Sequence, residues 1–440
     1  MPLLRFPSRL FIAAAAACAA LVPTSGQAQS LLELYQAAHA YDASYLSARA
    51  LYDSAPFRVE QSRALMRPSV SVSAGAARIT SNQVVIPTFD SNTLSATLSG
   101  RQPLFNRANA ATIAQAERSL DSSLADLDAA EQDLLLRVSQ AYFDVLGAQD
   151  TLETTRANKT AIAEQLASAK RNFEVGTATI TDTREAQARF DLATAQEIAA
   201  DNDLVTKRIA LDQLVGRSNV VPKQLAVPVA LPVPATKVDD LVAHAAEEHP
   251  TVRRAQVAYD IARLETDKAR AQALPTLDAV ASVGGGRSSV APNLSGPNSA
   301  TSIGLQFNLP LFAGGSIQAR IKETLALEEK TRNDLDAARR GVIQATRQAY
   351  YTLQSGAAQV KALEAAEASS QLALEATQLG YRVGIRVNVD VLNAQSQLYQ
   401  TRRDLARARY DVLLETLRLS QAAGRLSPSD VLAIDRLLAP

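Results

Sequence analysis

The chain repeats itself, and the repeat limits what it can fold into. "QPLF" at Gln102–Phe105 returns as "LPLF" at Leu309–Phe312, 207 residues later. "QAYFDVL" from Gln140 returns as "QAYYTLQ" from Gln348, at an offset of 208. The same offset carries Phe173-Glu174-Val175-Gly176 onto Tyr381-Arg382-Val383-Gly384, Asp182 onto Asp390, and Val215-Gly216-Arg217 onto Ala423-Gly424-Arg425. Tyr52 pairs with Tyr259 and Pro68 with Pro275. A duplication on this scale makes two copies of one supersecondary unit. The Pro-rich stretch "NVVPKQLAVPVALPVPATK" between them cannot be helical and reads as a connector over residues 220–238. The first repeat is then 29–219, the second 239–425, and residues 426–440 form a C-terminal tail.

Each half parses into the same elements. A helical stretch (31–66, then 239–274) runs into Pro68 or Pro275. Alternating apolar and polar residues follow, at 69–104 and 276–311, around polar loops at 76–92 and 284–300; that pattern predicts a β-hairpin. A long helix comes next (107–172, 314–380), then a turn at 173–182 or 381–390, then a shorter helix (183–215, 391–422). Leu120, Leu124, Leu127, Leu134, Val138, Ala141, Val145, Ala148, Leu152, Ile162, Leu166, Ala169 and Phe173 follow 4-3 spacing, broken at Glu131, Thr155 and Lys159. Val391, Leu398, Leu405, Val412 and Leu419 step by sevens, so the helices should pack as coiled coils. A helix over 107–172 is roughly 100 Å long at 1.5 Å per residue. The two shorter helices of each half together match it, which predicts a rod with strands at one end, tight turns at the other, and the connector and tail halfway along.

The N-terminus carries Arg5 and Arg9, an apolar run Phe11–Val22, and Gly26-Gln27-Ala28, the pattern of a secretory signal peptide cut after Ala28. Cys18, the single cysteine, falls within that run; a lipidated Cys18 is the competing reading, with no Leu three residues before it and apolar sequence continuing beyond. No later stretch is long and apolar enough for a transmembrane helix. An exported chain that crosses a membrane must then do so with strands. Val70, Val72 and Ala74 alternate with serines, and Ile303, Leu305, Phe307 and Leu309 with Ser, Gly, Gln and Asn, as in a membrane β-barrel. Four strands cannot close around a lumen, and lipid tolerates no open sheet edge, so the barrel must be shared between subunits. Phe105 and Phe312, at equivalent strand-to-helix junctions, are candidate membrane-interface anchors, with core packing as the alternative.

Other chemistry is poorly served. Lys plus Arg number 45, as do Asp plus Glu, which argues against a nucleic-acid partner. His39, His244 and His249 lack metal-ligand spacing, Gly284-Gly285-Gly286 lacks the lysine of a phosphate loop, and no nucleophile–base motif occurs, so neither an enzyme nor a cofactor is expected.

Taken together, the duplication, the two "PLF" junctions and the two "F/Y-x-V-G…D" turns resemble the TolC family of outer-membrane efflux and secretion ducts. The resemblance implies a mainly α fold with membrane β: a homotrimeric twelve-stranded β-barrel in outer-membrane lipid, continuous with a twelve-helix periplasmic α-barrel. It implies a passive exit duct working with a periplasmic adaptor (membrane fusion) protein and an inner-membrane pump of ABC or RND type. It places an entrance latch at Tyr381 and Arg386, with Thr181, Asp182 and Gln165 as partners. It places an acidic pore ring at Asp390, while Asn393 departs from the second acidic position of the family. Gly176 and Gly384 would permit the tip turns. The residues alone leave another reading of Arg386 and Asp390, a pair within one helix. The rival class is a soluble periplasmic coiled-coil adaptor or scaffold.

Overall fold

The computed structural model describes residues 28–81, 89–226, 237–289 and 296–438. Nearly all of the signal peptide, Cys18, the middle of the connector, the β-hairpin loops and the last two residues lie outside these. In chain order the elements are α1 (Leu31–Tyr41), α2 (Ala43–Arg63), β1 (Ser69–Ser81), β2 (Phe89–Phe105), α3 (Arg107–Glu174) and α4 (Ile180–Val215). The second half follows with α5 (Val238–Glu248), α6 (Pro250–Ala271), β3 (Thr276–Ser289), β4 (Gly296–Asn308), α7 (Ser316–Arg382), α8 (Asn388–Ala422) and α9 (Pro428–Asp435).

The leading helix of each repeat is broken where the sequence predicts one stretch. Asp42 ends α1 in an extended conformation and caps α2, its carboxylate accepting from the Tyr45 N–H at 2.8 Å. His249 does the same for α6, because the proline that follows disfavours helical backbone at 249. Against each break rests the end of the helix climbing from the tip. Gly216 and Gly424 stop α4 and α8 in the left-handed region, at φ +67° and +72°. A Cβ on Gly216 would sit 2.4 Å from the Tyr41 ring, and one on Gly424 2.8 Å from the His249 Cα. The two short helices of a half therefore meet end to end beside the 68-residue α3 or the 67-residue α7.

Around this midpoint lies the largest core. Leu31, Leu34, Leu134, Tyr142, Leu211, Leu413, Leu417 and Val431 are all buried in it. The Tyr142 hydroxyl donates to the Lys223 carbonyl at 2.9 Å, and the Leu31 N–H to Asp435 at 2.9 Å, so α1, the connector and α9 form a belt around the rod. Val391, Leu398, Leu405, Val412 and Leu419 are buried, so the seven-step seam of α8 is a packing seam.

The four strands make one antiparallel sheet in the order β1-β2-β3-β4. They are longer than the sequence pattern suggested. β1 runs to Ser81, and Gly284-Gly285-Gly286 lies inside β3 instead of a loop. There the chain approaches β2 closely: a Cβ on Gly284 would come 2.7 Å from the Thr97 hydroxyl. β4 ends at Asn308, short of the predicted 311, since Pro310 has no N–H to give a ladder. The register puts Val70, Gly100, Ala281 and Ile303 on one rung, with Val72, Leu98 and Val283 on the same face. Val70, Val72, Leu94, Ile303, Leu305 and Phe307 are exposed. The opposite face carries the hydroxyl pairs Ser71–Ser99 and Ser282–Ser302 and the Arg101–Asp278 ion pair at 2.6 Å. One face is thus mainly apolar near the helices, with Arg78, Asn92 and Arg287 on it toward the hairpin loops, and the other is mainly polar.

Candidate functional site

Two hairpin tips close the far end of the rod. Each long helix ends at a residue near φ −90°, ψ 0°, followed by Gly176 (φ +81°) or Gly384 (φ +76°). The N–H groups of residues 177 and 385 donate back to the carbonyls of Asn172 and Gly380, at 2.8 and 2.9 Å. This is the glycine stop that satisfies a helix's last carbonyls. The next helix begins early, so that Thr181 and Asp182 lie in the first turn of α4 and Asp390 in the first turn of α8.

The two tips are then held differently. In the first, Asp182 accepts from the Thr179 N–H at 3.0 Å and its hydroxyl at 2.7 Å, while Thr179 accepts in return from the Asp182 N–H. This is a reciprocal capping box, and it occupies the Asp182 carboxylate. Thr181 is exposed. In the second tip, Asp390 accepts from the Val387 N–H at 3.4 Å and lies 3.6 Å from the Arg386 guanidinium. Arg386 arches back over Gly380, where a Cβ would meet its Cγ at 2.8 Å.

Between the hairpins, the Tyr381 hydroxyl accepts from the Asn172 side-chain amide at 3.1 Å, and its ring packs with Leu374, Val391 and Leu398. Gln165 donates to the Asn388 carbonyl oxygen, and the Asn388 amide donates to the Asp182 carbonyl at 3.4 Å. Asn393, exposed, accepts from Arg189 at 3.0 Å. Within one chain, Tyr381, Gln165 and Asp182 all lie at the junction of the two hairpins. Arg386 and Asp390 stay within their own tip, as a pair four residues apart. Asn172, Arg189 and Asn388 were not foreseen. Asn388 carried a signal nonetheless, being seven residues before Gln395 and ten before Leu398 on the α8 seam.

Farther up, the Tyr410 hydroxyl donates to Asp150 at 2.7 Å across the α3–α8 contact, and burial raises the Asp150 carboxyl above its ordinary range. At the other end of the rod, Phe105 closes β2 and Phe312 lies beyond β4; both are exposed. Among the described residues no cluster of His, Cys, Asp or Glu has a metal-binding arrangement, and no helix is long and apolar enough to cross a membrane.

Two long helical hairpins running out of one amphipathic sheet have a counterpart among known proteins. The outer membrane efflux protein family model matches twice, over residues 34–217 and 241–425, one match per repeat. The chain belongs to the outer membrane efflux protein family. Outer membrane protein TolC of Vibrio cholerae is 34% identical over 415 residues, 93% of each chain. Alkaline protease secretion protein AprF of Pseudomonas aeruginosa is 35% identical over 341 residues, 76% of this chain and 70% of its own. The crystal structure of outer membrane protein VceC from Vibrio cholerae superposes with a TM-score of 0.75 at 20% identity, covering 90% of this chain and 96% of that one. The efflux-protein family accounts for the sheet: its strands are barrel strands of a channel fold, and its helices the staves of an α-barrel.

Proposed function

We propose that the protein is an outer-membrane exit duct for efflux or type I secretion, extending from the outer membrane into the periplasm and conducting cargo passively. The observation that carries this is the sheet. Among the described residues both of its edges are open, and one face exposes Val70, Val72, Ile303 and Phe307. Such a face belongs against lipid, and such edges must be paired there.

The helices support the same arrangement. Their order across the chain is α2 with α4, then α3, then α6 with α8, then α7. The outer elements carry exposed apolar residues: Phe57 on α2, Ile198 and Ile209 on α4, Tyr351 and Leu372 on α7. Sheet and helix layer are thus open on the same two sides, and one rotation closes both. Three copies give twelve strands, above the eight that known barrels require. The homotrimer is accordingly our proposal, with Phe105 and Phe312 at the membrane interface. The tips form the periplasmic entrance. There Tyr381, Arg386, Thr181, Asp182 and Gln165 serve as the latch, and Asp390 as a ring of carboxylates on the threefold axis. We infer a periplasmic adaptor and an inner-membrane pump of ABC or RND type as partners, a reading supported by the likeness to an alkaline protease secretion protein.

The test is fractionation and conductance. The protein should need detergent, migrate as a trimer until heated, and form channels in planar bilayers. A monomer that is soluble without detergent and forms no channels would overturn the reading and restore the adaptor alternative.

A further inference from the structure

We propose that Asn388, with Gln165, forms a second and uncharged latch that sets the register of the closed tip. The inference rests on the duct reading and concerns a residue that the Tyr–Arg pattern does not include.

Asn388 is the first residue of α8 and is 2% exposed. Its carbonyl oxygen accepts from Gln165 on α3, and its amide donates to the Asp182 carbonyl at the start of α4. One side chain therefore joins three helices and both repeats. It sits beside a small apolar cluster of Ile162, Leu166, Ala169, Ala186, Ala193 and Leu392, which packs the tip region. One heptad farther along α8, Gln395 is also buried, and its carbonyl oxygen has no partner. The intervening seam positions, Val391 and Leu392, are apolar and buried.

Buried amides in an apolar seam weaken packing and specify alignment: only one register gives each its partner. A sliding or outward motion of the α7–α8 hairpin leaves Asn388, Gln165 and the Asp182 carbonyl unpaired in a desolvated place. The clasp thus favours the closed arrangement and a cooperative release. Its chemistry also differs from the other ties at the tip. Neither amide titrates in the physiological range, and buried dipoles are little screened by salt. The Arg386–Asp390 pair is partly exposed and is weakened by salt. That pair lies within the second tip, so the clasp joins the hairpins by a tie that salt does not weaken.

The test uses the purified full-length protein in planar bilayers. Gln165→Ala, which removes one hydrogen bond, should shift the open–closed equilibrium up to about tenfold per subunit, and Asn388→Ala, which removes two, by more. The double substitution should do no more than Asn388→Ala alone, and the effect should persist from about 0.1 to about 1 M salt. Asn388→Asp gives a readout that a merely structural role would not move. As a carboxylate it cannot donate to the Asp182 carbonyl, so the channel opens; protonated in acid it can, and conductance falls back toward wild type. The charged groups on the surrounding elements are Glu164 on α3, Asp182, Glu185 and Arg189 on α4, and Arg386 and Asp390 beside it, so the wild-type pH response is the reference. Additive single effects, or an Asn388→Asp profile matching wild type, would overturn the proposal. The Tyr381→Phe, Arg386→Ser variant separates the two levels: if it and wild type form no channels, the duct reading fails; if they conduct and the clasp variants match wild type, the clasp alone fails.

Discussion

Asp42 joins two functions at the break between α1 and α2, and they can be separated. Its carboxylate caps α2, and it also accepts both terminal nitrogens of Arg137 on α3, at 3.0 and 3.1 Å. Hydrogen bonding from Arg137 holds the Asp42 carboxyl below the usual carboxylate range. Asp42→Asn keeps a good cap and loses only the charge, whereas Asp42→Ala loses both. A cap is worth about 1 kcal/mol. The ion pair is worth about 1 kcal/mol or less, because the Arg137 side chain is 36% exposed and keeps Asp133 as a second partner at 2.7 Å. Asp42→Ala should then destabilise the start of α2 by about 2 kcal/mol and Asp42→Asn by about 1 kcal/mol. Global denaturation of so large a protein is not two-state, so hydrogen exchange at the first turn of α2 is the better measure. Exchange there should quicken about thirtyfold for Ala and about fivefold for Asn, corrected for intrinsic rates. The sign with pH follows from the lowered folded pKa. The contribution is fully present above the unfolded value near 4 and is lost as pH falls through the folded one, so acid should bring the wild type to the Asn level. Equal exchange in Asn and Ala variants, or no change in either, would refute the separation of cap and charge.

Three further outcomes are expected. Ile303→Arg, on the apolar face and 86% exposed, should weaken insertion into lipid vesicles by about 2–4 kcal/mol, whereas Ser302→Arg on the polar face should be tolerated; the reverse order would invert the sheet. Tyr381→Phe with Arg386→Ser should raise single-channel conductance, by about tenfold in the open fraction for each tie released, and unchanged conductance would count against the latch. Asp390→Ala should reduce cation preference in reversal-potential measurements. Asn393→Asp should increase it only weakly unless Arg189→Gln is added, because Arg189 already reaches position 393 and would neutralise a carboxylate there.

The sequence made the repeat, the long helices and the tip glycines legible because each leaves a periodic or single-residue mark. The seven-step seam of α8 is buried where it was predicted. Strand ends were less legible. Gly284–Gly286 reads as a loop from composition, yet these glycines lie in β3, where β2 passes too close to Gly284 and Gly286 for a side chain. The breaks at Asp42 and His249 are not legible in the element boundaries because each is a single non-helical residue between two good helices. Of the tip residues, those matching the family pattern could be located but not paired. Thr179 takes the Asp182 carboxylate, and Asn172 rather than Gln165 reaches Tyr381, because capping and side-chain reach are local geometry that spacing does not encode.

The two halves also differ in a way that spacing foreshadows. α3 buries fifteen residues and α7, of nearly equal length, seven. The difference is positional: α3 lies between α2–α4 on one side and α6–α8 on the other, while α7 has neighbours on one side only. Its stripe is correspondingly less regular, with Gly356 and Ser370 where α3 carries Ala148 and Ile162. A helix facing a second copy across a surface that must separate on opening is better served by a broken stripe than by a continuous coiled-coil seam, since each added apolar layer would hold it shut. The duplication would thus have diverged by role, its first hairpin the fixed wall of the proposed trimer and its second, with Tyr381, Arg386, Asn388 and Asp390 at its tip, the part that moves.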